Sequence, residues 1–248
     1  MSDAFAILGA GMINDLDRLS MISHNLANST TSGYKKQIPV NSSFSDYISS
    51  QTKSMSGPEK LNLMGVSIPQ VVSKIDDTQG TMKFTGNPLD LVINENNYFS
   101  VLTDNGVAYT KQGAFKTNQN GLLVDKNNHP VLGEAGEIFL SDTEVVVDKD
   151  GIIKSGENII GKLLLANIVD SNKLTNIGQG LFVSGEGVET AVTSDVNVSQ
   201  GFLEMSNVTL MEEMIRLIEV TRHFETTQRF MMGYDSMLDN AINVVGQV

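Results

Sequence analysis

The chain has 248 residues, a mass of 26.9 kDa, a formal net charge of −12 and a pI near 4.6, an acidic balance that excludes a partner held through a phosphate backbone, which needs clustered Lys and Arg. With no cysteine, disulfides and thiolate chemistry are excluded too. The length allows one large core or two modest domains, and no apolar run reaches the roughly 20 residues a membrane-spanning helix requires.

The N-terminal run MSDAFAILGAGMINDLDRL lacks a basic start, and Asn14, Asp15 and Asp17 interrupt its apolar residues. It does not read as a Sec leader, so any export is expected to proceed without a cleaved signal peptide. Phe5, Met12, Leu19 and Leu26 recur at intervals of seven, with Leu8 and Ile22 at the intervening positions. That spacing predicts a helix over about residues 3–28 with one apolar seam. Asp15 occupies a seam position, where a polar residue fixes register at some cost in stability. Gly9-Ala10-Gly11 superficially suggests a dinucleotide loop, but no strand precedes it and the third glycine is missing, so it is read as small residues that permit close helix approach.

Residues 25–36 read NLANSTTSGYKK. After Leu26, the last seam residue, Asn25, Asn28, Ser29 and Thr30 can bond local backbone groups rather than continue the helix, and Gly33 permits a left-handed turn. The helix end does not explain Tyr34-Lys35-Lys36, an aromatic anchor with two basic groups on an acidic chain. These are expected to dock on an acidic neighbour. Residues 37–79, rich in Ser, Thr, Gly and Gln, read as an extended connector with one or two strands, GVSIPQVVS at 65–73 among them.

From residue 80 the period changes to alternation. Short β-branched runs (91–93, 98–102, 107–109, 144–147, 151–153, 159–169 and 181–183) are punctuated by Asn105-Gly106, Asn120-Gly121 and Asp150-Gly151, dipeptides that supply positive φ for tight turns. An antiparallel β domain over 80–200 follows. Its DKDG at 148–151 resembles the start of a calcium loop, but position 159 is Ile where the liganding Glu belongs, so a hairpin turn is expected. His24, His129 and His223 lie in different segments without metal-ligand spacing, and no nucleophile elbow is present. The expectation is a protein with no catalytic, cofactor or metal residues and no small-molecule substrate. A carboxylate-based glycan hydrolase in the β domain is the competing enzyme reading.

The C-terminal segment repeats the helical design. Leu210, Leu217, Phe224, Met231, Leu238 and Val245 are seven apart, with Val220, Tyr234 and Ala241 three residues on. Thr209 with Glu212 fits a capping box, and Glu212/Arg216 and Glu225/Arg229 are favourable i,i+4 pairs. Such a helix spans on the order of 55 Å. Met205, Met211, Met214, Met231, Met232 and Met237 crowd this end, and their flexible side chains suit neighbours of differing shape. A shorter N-terminal seam cannot cover a longer C-terminal one, so the excess edge should meet other chains, and unmatched edges that meet head to tail build open assemblies. A monomeric coiled-coil scaffold or adhesin, with its helices paired only within one chain, is the alternative.

NLANSTTSGYKK resembles the NLAN-x-x-T-x-G-(Y/F)-(K/R) signature of the flagellar basal-body rod and hook proteins, and GFLEMSNVTLMEEM at 201–214 resembles their second signature, G-x-L-E-x-SNV-x-x-x-EEM. Residues 87–133 are similar to that family's β domain. NPLDLVI at 87–93, HPVLGEAGEI at 129–138 and RHFE at 222–225 resemble its proximal-rod members, with the distal-rod members the near alternative. The resemblance implies a tube of terminal helices from many subunits with the β domain outside. It also implies torque transmission from motor to hook, and export through the type III apparatus to the periplasmic rod. Partners would be other rod proteins, hook-side axial proteins and the export apparatus.

The expected fold is α+β: N- and C-terminal helices in one coiled-coil layer, with an inserted antiparallel all-β domain. The division is 1–36 (helix and signature loop), 37–79 (connector), 80–200 (β) and 201–248 (C-terminal helix). Expected subunit-interface residues are Phe5, Leu8, Met12, Leu19, Ile22 and Leu26 with Asn25, Asn28, Gly33, Tyr34 and Lys35, and Leu210, Leu217, Phe224, Met231, Leu238 and Val245.

Overall fold

The computed structural model describes residues 2–42, 70–94, 97–140, 145–168, 174–184, 191–192 and 196–245. Connector residues 43–69, Glu144, Val169 and the side chains of Ala241 and Val245 lie outside the described residues. Two units emerge. The first comprises Met1–Ala27, Gln37–Lys74 and Thr209–Val248, the second Asn28–Lys36 and Ile75–Val208.

In the first unit, α1 (Ser2–Ala27) packs against α2 (Leu210–Val245), and strands Gln37–Ser42 and Gln70–Ile75 form a two-stranded sheet. The heptad reading survives in the packing. On α1, Asp15 and Ile22 are buried and Leu8, Met12, Leu19 and Leu26 half-buried. On α2, Glu213 is buried, and Leu217, Val220, Phe224, Thr227, Met231, Tyr234 and Leu238 are half-buried among exposed neighbours. Each helix thus buries a stripe of 3.5-residue period against the other, as seams do.

The second unit is antiparallel β. Its largest sheet has six strands in the order 174–178, 181–184, 106–110, 97–103, 165–167 and 191–192. Side chains alternate across it with the period of two that a pleated strand imposes. Phe99, Val101, Leu165 and Leu181 enter a large core with Leu91, Phe115, Leu123, Val131 and Ile153, while Tyr98, Ala166 and Phe182 enter a smaller one with Ile75, Ile168 and Leu174. Rings meet edge to face in both: Phe99 and Phe115 at 4.9 Å, Tyr98 and Phe182 at 6.0 Å. The expected turns form at Gly106, Gly121 and Gly151, with φ of 116°, 78° and 77°. The run 159–169 is not one strand: Asn158–Lys162 returns against Ile152–Ser155, and Leu165–Asn167 joins the six-stranded sheet. Ahead of α2, Phe202–Glu204 pairs with Met82–Phe84, and Val198–Gln200 with Leu91–Ile93.

The Tyr98 hydroxyl donates to Asp77 Oδ1 at 2.7 Å. Burial first, and then the Asp77 charge, push its ionisation well above the ordinary tyrosine range. Because the folded state holds this proton more tightly than the unfolded chain, its stabilising contribution is complete below about pH 10, the ordinary tyrosine value, and is lost as pH rises beyond it. Denaturant midpoints should therefore fall steeply above about pH 10, and Tyr98→Phe should flatten that limb; an unchanged alkaline slope in the variant would remove Tyr98 as its source.

Candidate functional site

The polar residues of the second unit converge where the chain leaves its first signature. Asn28 accepts from Thr31 N–H at 3.0 Å in a turn, and Gly33 follows at φ 68°. No other residue fits there easily: a Cβ on Gly33 would lie 2.6 Å from the backbone of Lys111 and Gln112. Gly33→Ala should cost about 2 kcal/mol or more, through left-handed strain plus that clash. Guanidinium melts of the two chains check this, and equal midpoints would contradict it.

From this turn the Gly33 N–H donates to the Glu204 carbonyl at 2.8 Å, and Lys35 Nζ meets Glu204 Oε1 at 2.8 Å. Lys35 is 2% exposed and Glu204 4%. The ammonium also donates to the carbonyls of Asp77 (3.2 Å) and Thr78 (2.9 Å), and the carboxylate accepts from Gly80 N–H at 2.9 Å. Asn207 completes the cluster: its Oδ1 accepts from Lys36 N–H at 2.8 Å, and its amide donates to the carbonyls of Asp76 and Thr78. A buried charge survives only when paired and hydrogen-bonded, and here both conditions hold.

The first unit contains a second cluster. Asn25, 1% exposed, donates to Gln37 O at 2.8 Å and to Glu213 Oε2 at 3.0 Å, and accepts from Gln37 N–H at 2.9 Å. Glu213 is fully buried, and its other oxygen accepts from Arg216 at 3.2 Å. Further along the pair, His223 Nδ1 lies 2.6 Å from Oδ2 of buried Asp15. Moving from Asn25 back to Asp15 is matched by moving from Glu213 forward to His223, ten residues each way, so the helices run antiparallel in fixed register. The seam aspartate thus has a defined partner.

The expected interface residues fall into three groups. Leu8, Met12, Leu19, Ile22, Leu26, Leu217, Phe224, Met231 and Leu238 line the α1–α2 seam within the chain. Asn25, Gly33, Tyr34 and Lys35 are buried inside their own chain, and the acidic neighbour that Lys35 meets is its own Glu204; Asn28 is half-buried in the turn. Phe5 and Leu210 are exposed. Met211, Met214, Met232 and Met237, among the methionines expected to suit neighbouring chains, are exposed on α2; also exposed, and not anticipated, are Ile7, Ile13 and Leu16 on α1 and Ile215, Ile218 and Phe230 on α2. Gly9, Gly11 and Gly233 sit inside these helices, where glycine costs about 1 kcal/mol relative to alanine, yet beyond the adjoining backbone of its own helix no described atom lies within 4 Å of a Cβ built on any of them. Sequence reasoning also missed Glu204, Asn207 and Glu213, although all are polar letters of the GFLEMSNVTLMEEM segment; their complementarity to Asn25 and Lys35 was the available signal.

Among the described residues no group of three or more His, Asp and Glu side chains comes together as a metal site. What the arrangement offers is a pinned helix pair with apolar side chains left in water.

Residues 199–244 match the family described as "Flagellar basal body rod FlgEFG protein C-terminal", and residues 92–155 match "Flagellar hook protein FlgE/F/G D1 domain". The chain is similar to the flagellar basal-body rod protein FlgF of Mesorhizobium japonicum, 31% identical over 236 residues that cover 92% of each chain. It is likewise similar to FlgG of Buchnera aphidicola subsp. Acyrthosiphon pisum, 30% identical over 242 residues (89% of this chain, 91% of that one). A third relative is the flagellar hook-basal body complex protein FlhO of Bacillus subtilis, 26% identical over 262 residues (96% and 97%).

Proposed function

This chain belongs to the flagellar basal-body rod family of FlgE, FlgF and FlgG, and from that premise we propose that it is the FlgF-type subunit of the proximal rod. It is a non-enzymatic structural rod protein, and its partners are other rod and hook proteins. In the proposed assembly the terminal helices of successive subunits form a tubular shaft that carries motor torque and encloses the export channel. The subunit reaches the periplasmic rod through the type III apparatus. The helices of the unit Met1–Ala27, Gln37–Lys74 and Thr209–Val248 supply the helical layer, and the unit Asn28–Lys36 and Ile75–Val208 the outer β domain.

One observation carries the assembly reading: α2 is 36 residues long against 26 for α1, and both helices keep large apolar side chains exposed after pairing. Apolar surface of this kind on a helix pair marks a protein contact. Leu217→Asp places a charge in the seam, and its expected result is at least a tenfold loss of incorporation into basal bodies, while the β unit keeps its denaturation midpoint. Normal incorporation would overturn the reading.

The proximal position draws on NPLDLVI, HPVLGEAGEI and RHFE. A distal-rod reading draws on the comparable likeness to FlgG. A tag in the exposed turn at Gly156-Glu157, imaged on isolated basal bodies, separates them: label near the membrane ring is expected, and label near the hook would reassign the chain.

A further inference from the structure

Two exposed stripes lie outside the α1–α2 seam. On α1, Phe5, Gly9, Ile13 and Leu16 follow one another at steps of four, four and three; on α2, Phe230, Gly233 and Met237 do so at steps of three and four. These steps keep each set on one helix face. Counting about 100° per residue, the α1 stripe lies about a quarter turn from the seam, and the α2 stripe about a third of a turn from it. Because the helices run antiparallel, the two stripes point to opposite flanks of the pair, so neither can cover the other within one chain.

Their heights correspond. The register that joins Asn25 to Glu213 and Asp15 to His223 advances ten residues along each helix. The same step again brings Phe5 level with Gly233, and Gly9 level with Arg229 and Phe230. Each large ring is thus at the height of a glycine on the other stripe. Phe5 is 47% exposed and Phe230 66%, and both glycines have open space where a Cβ would stand. Exposed charges border both stripes: Asp17 on α1, and Arg222 and Arg229, with Glu219 on the same face, on α2.

We infer that the α1 stripe of one subunit receives the α2 stripe of a second copy of this chain placed beside it at equal height, with Phe230 seated on Gly9 and Phe5 on Gly233. The contact rests on the assembly reading above and specifies its lateral interface. It is heterologous, one flank against the opposite flank, so it repeats from copy to copy around a shaft rather than closing as a two-fold dimer. Glycine is required at both positions because the partner's ring occupies the space of a side chain, as a knob fills a hole. The seam then holds each hairpin together, and the flanks join hairpins.

The absence of native cysteine allows a direct test. Cells co-expressing two otherwise intact chains, one Gly9→Cys and one Phe230→Cys, should yield a disulfide-linked heterodimer when assembled basal bodies are oxidised. A pairing of Leu16→Cys with Phe230→Cys should yield at least tenfold less. Gly9→Phe alone should reduce incorporation at least tenfold, and Gly9→Phe with Phe230→Gly should restore it, while the isolated Gly9→Phe chain keeps wild-type helix content. Basal bodies that contain the chain but give no Gly9/Phe230 cross-link, or a size swap without rescue, would overturn this contact and leave the rod assignment intact. Absence of the wild-type chain from basal bodies would instead overturn the assignment itself.

Discussion

Lys35→Met should destabilise the β unit by about 3–5 kcal/mol, the range for breaking a buried ion pair from one side. The loss arises at Glu204, whose carboxylate would stay in a site closed to water with, among the described residues, the Gly80 N–H alone to meet it, while the Asp77 carbonyl loses its donor and the Thr78 carbonyl keeps the Asn207 amide. Methionine keeps most of the lysine's aliphatic length, so the change removes charge and hydrogen bonds more than packing. The double variant Lys35→Met/Glu204→Leu should recover part of the deficit, since it removes the stranded charge; the remainder belongs to the Gly80 N–H and the Asp77 carbonyl. Guanidinium titrations of the four chains measure the coupling. A single-variant loss below about 1 kcal/mol would mean that water reaches the pair, because exposed ion pairs contribute no more than that.

The same pair shows why local structure was legible and partners were not. Periodicity is local: intervals of seven predicted α1 and α2, and Asn-Gly and Asp-Gly marked turns that formed, because both signals depend on residues near one another in the chain. A residue's partner is not local. Lys35 and Glu204 are separated by 169 positions, and Asn25 and Glu213 by 188. Nothing in the immediate surroundings of Tyr34-Lys35-Lys36 distinguishes a cation that meets its own chain's carboxylate from one that meets a neighbour's. The break within 159–169 was hidden for a related reason: apart from Lys162 the stretch through Leu164 is Gly and aliphatic while the chain changes sheets, and alternation alone does not reveal such a change. The exposed stripes were hidden by success, since a strong heptad draws attention to one face of a helix and away from its flanks.

Asn25→Leu should have the second large effect, and in the helical unit. Leucine keeps asparagine's branch at Cγ and is the bulkier of the two, so the seam stays filled, but three polar connections disappear together. The Gln37 N–H and C=O lose their partner, and the fully buried Glu213 carboxylate keeps Arg216 alone of the two side-chain partners described for it. Each unsatisfied buried group costs about 1–3 kcal/mol, so a total of about 3–5 kcal/mol is expected for pairing α1 to α2. The loss should be confined to this unit. Hydrogen exchange should accelerate along Ser2–Ala27 and the first turns of α2 while the amides of the six-stranded sheet keep their protection, because Asn25 and its partners all lie in the first unit. Incorporation into basal bodies should fall with it, since a loosened pair no longer presents its two flanks in fixed register. Glu213→Gln separates charge from shape: it keeps an acceptor for Asn25 and removes the buried charge, so its loss should be smaller than that of Asn25→Leu. If Asn25→Leu left exchange along α1 unchanged, the helices would be held by the apolar seam alone, and the polar letters shared by the two signature segments would need another explanation.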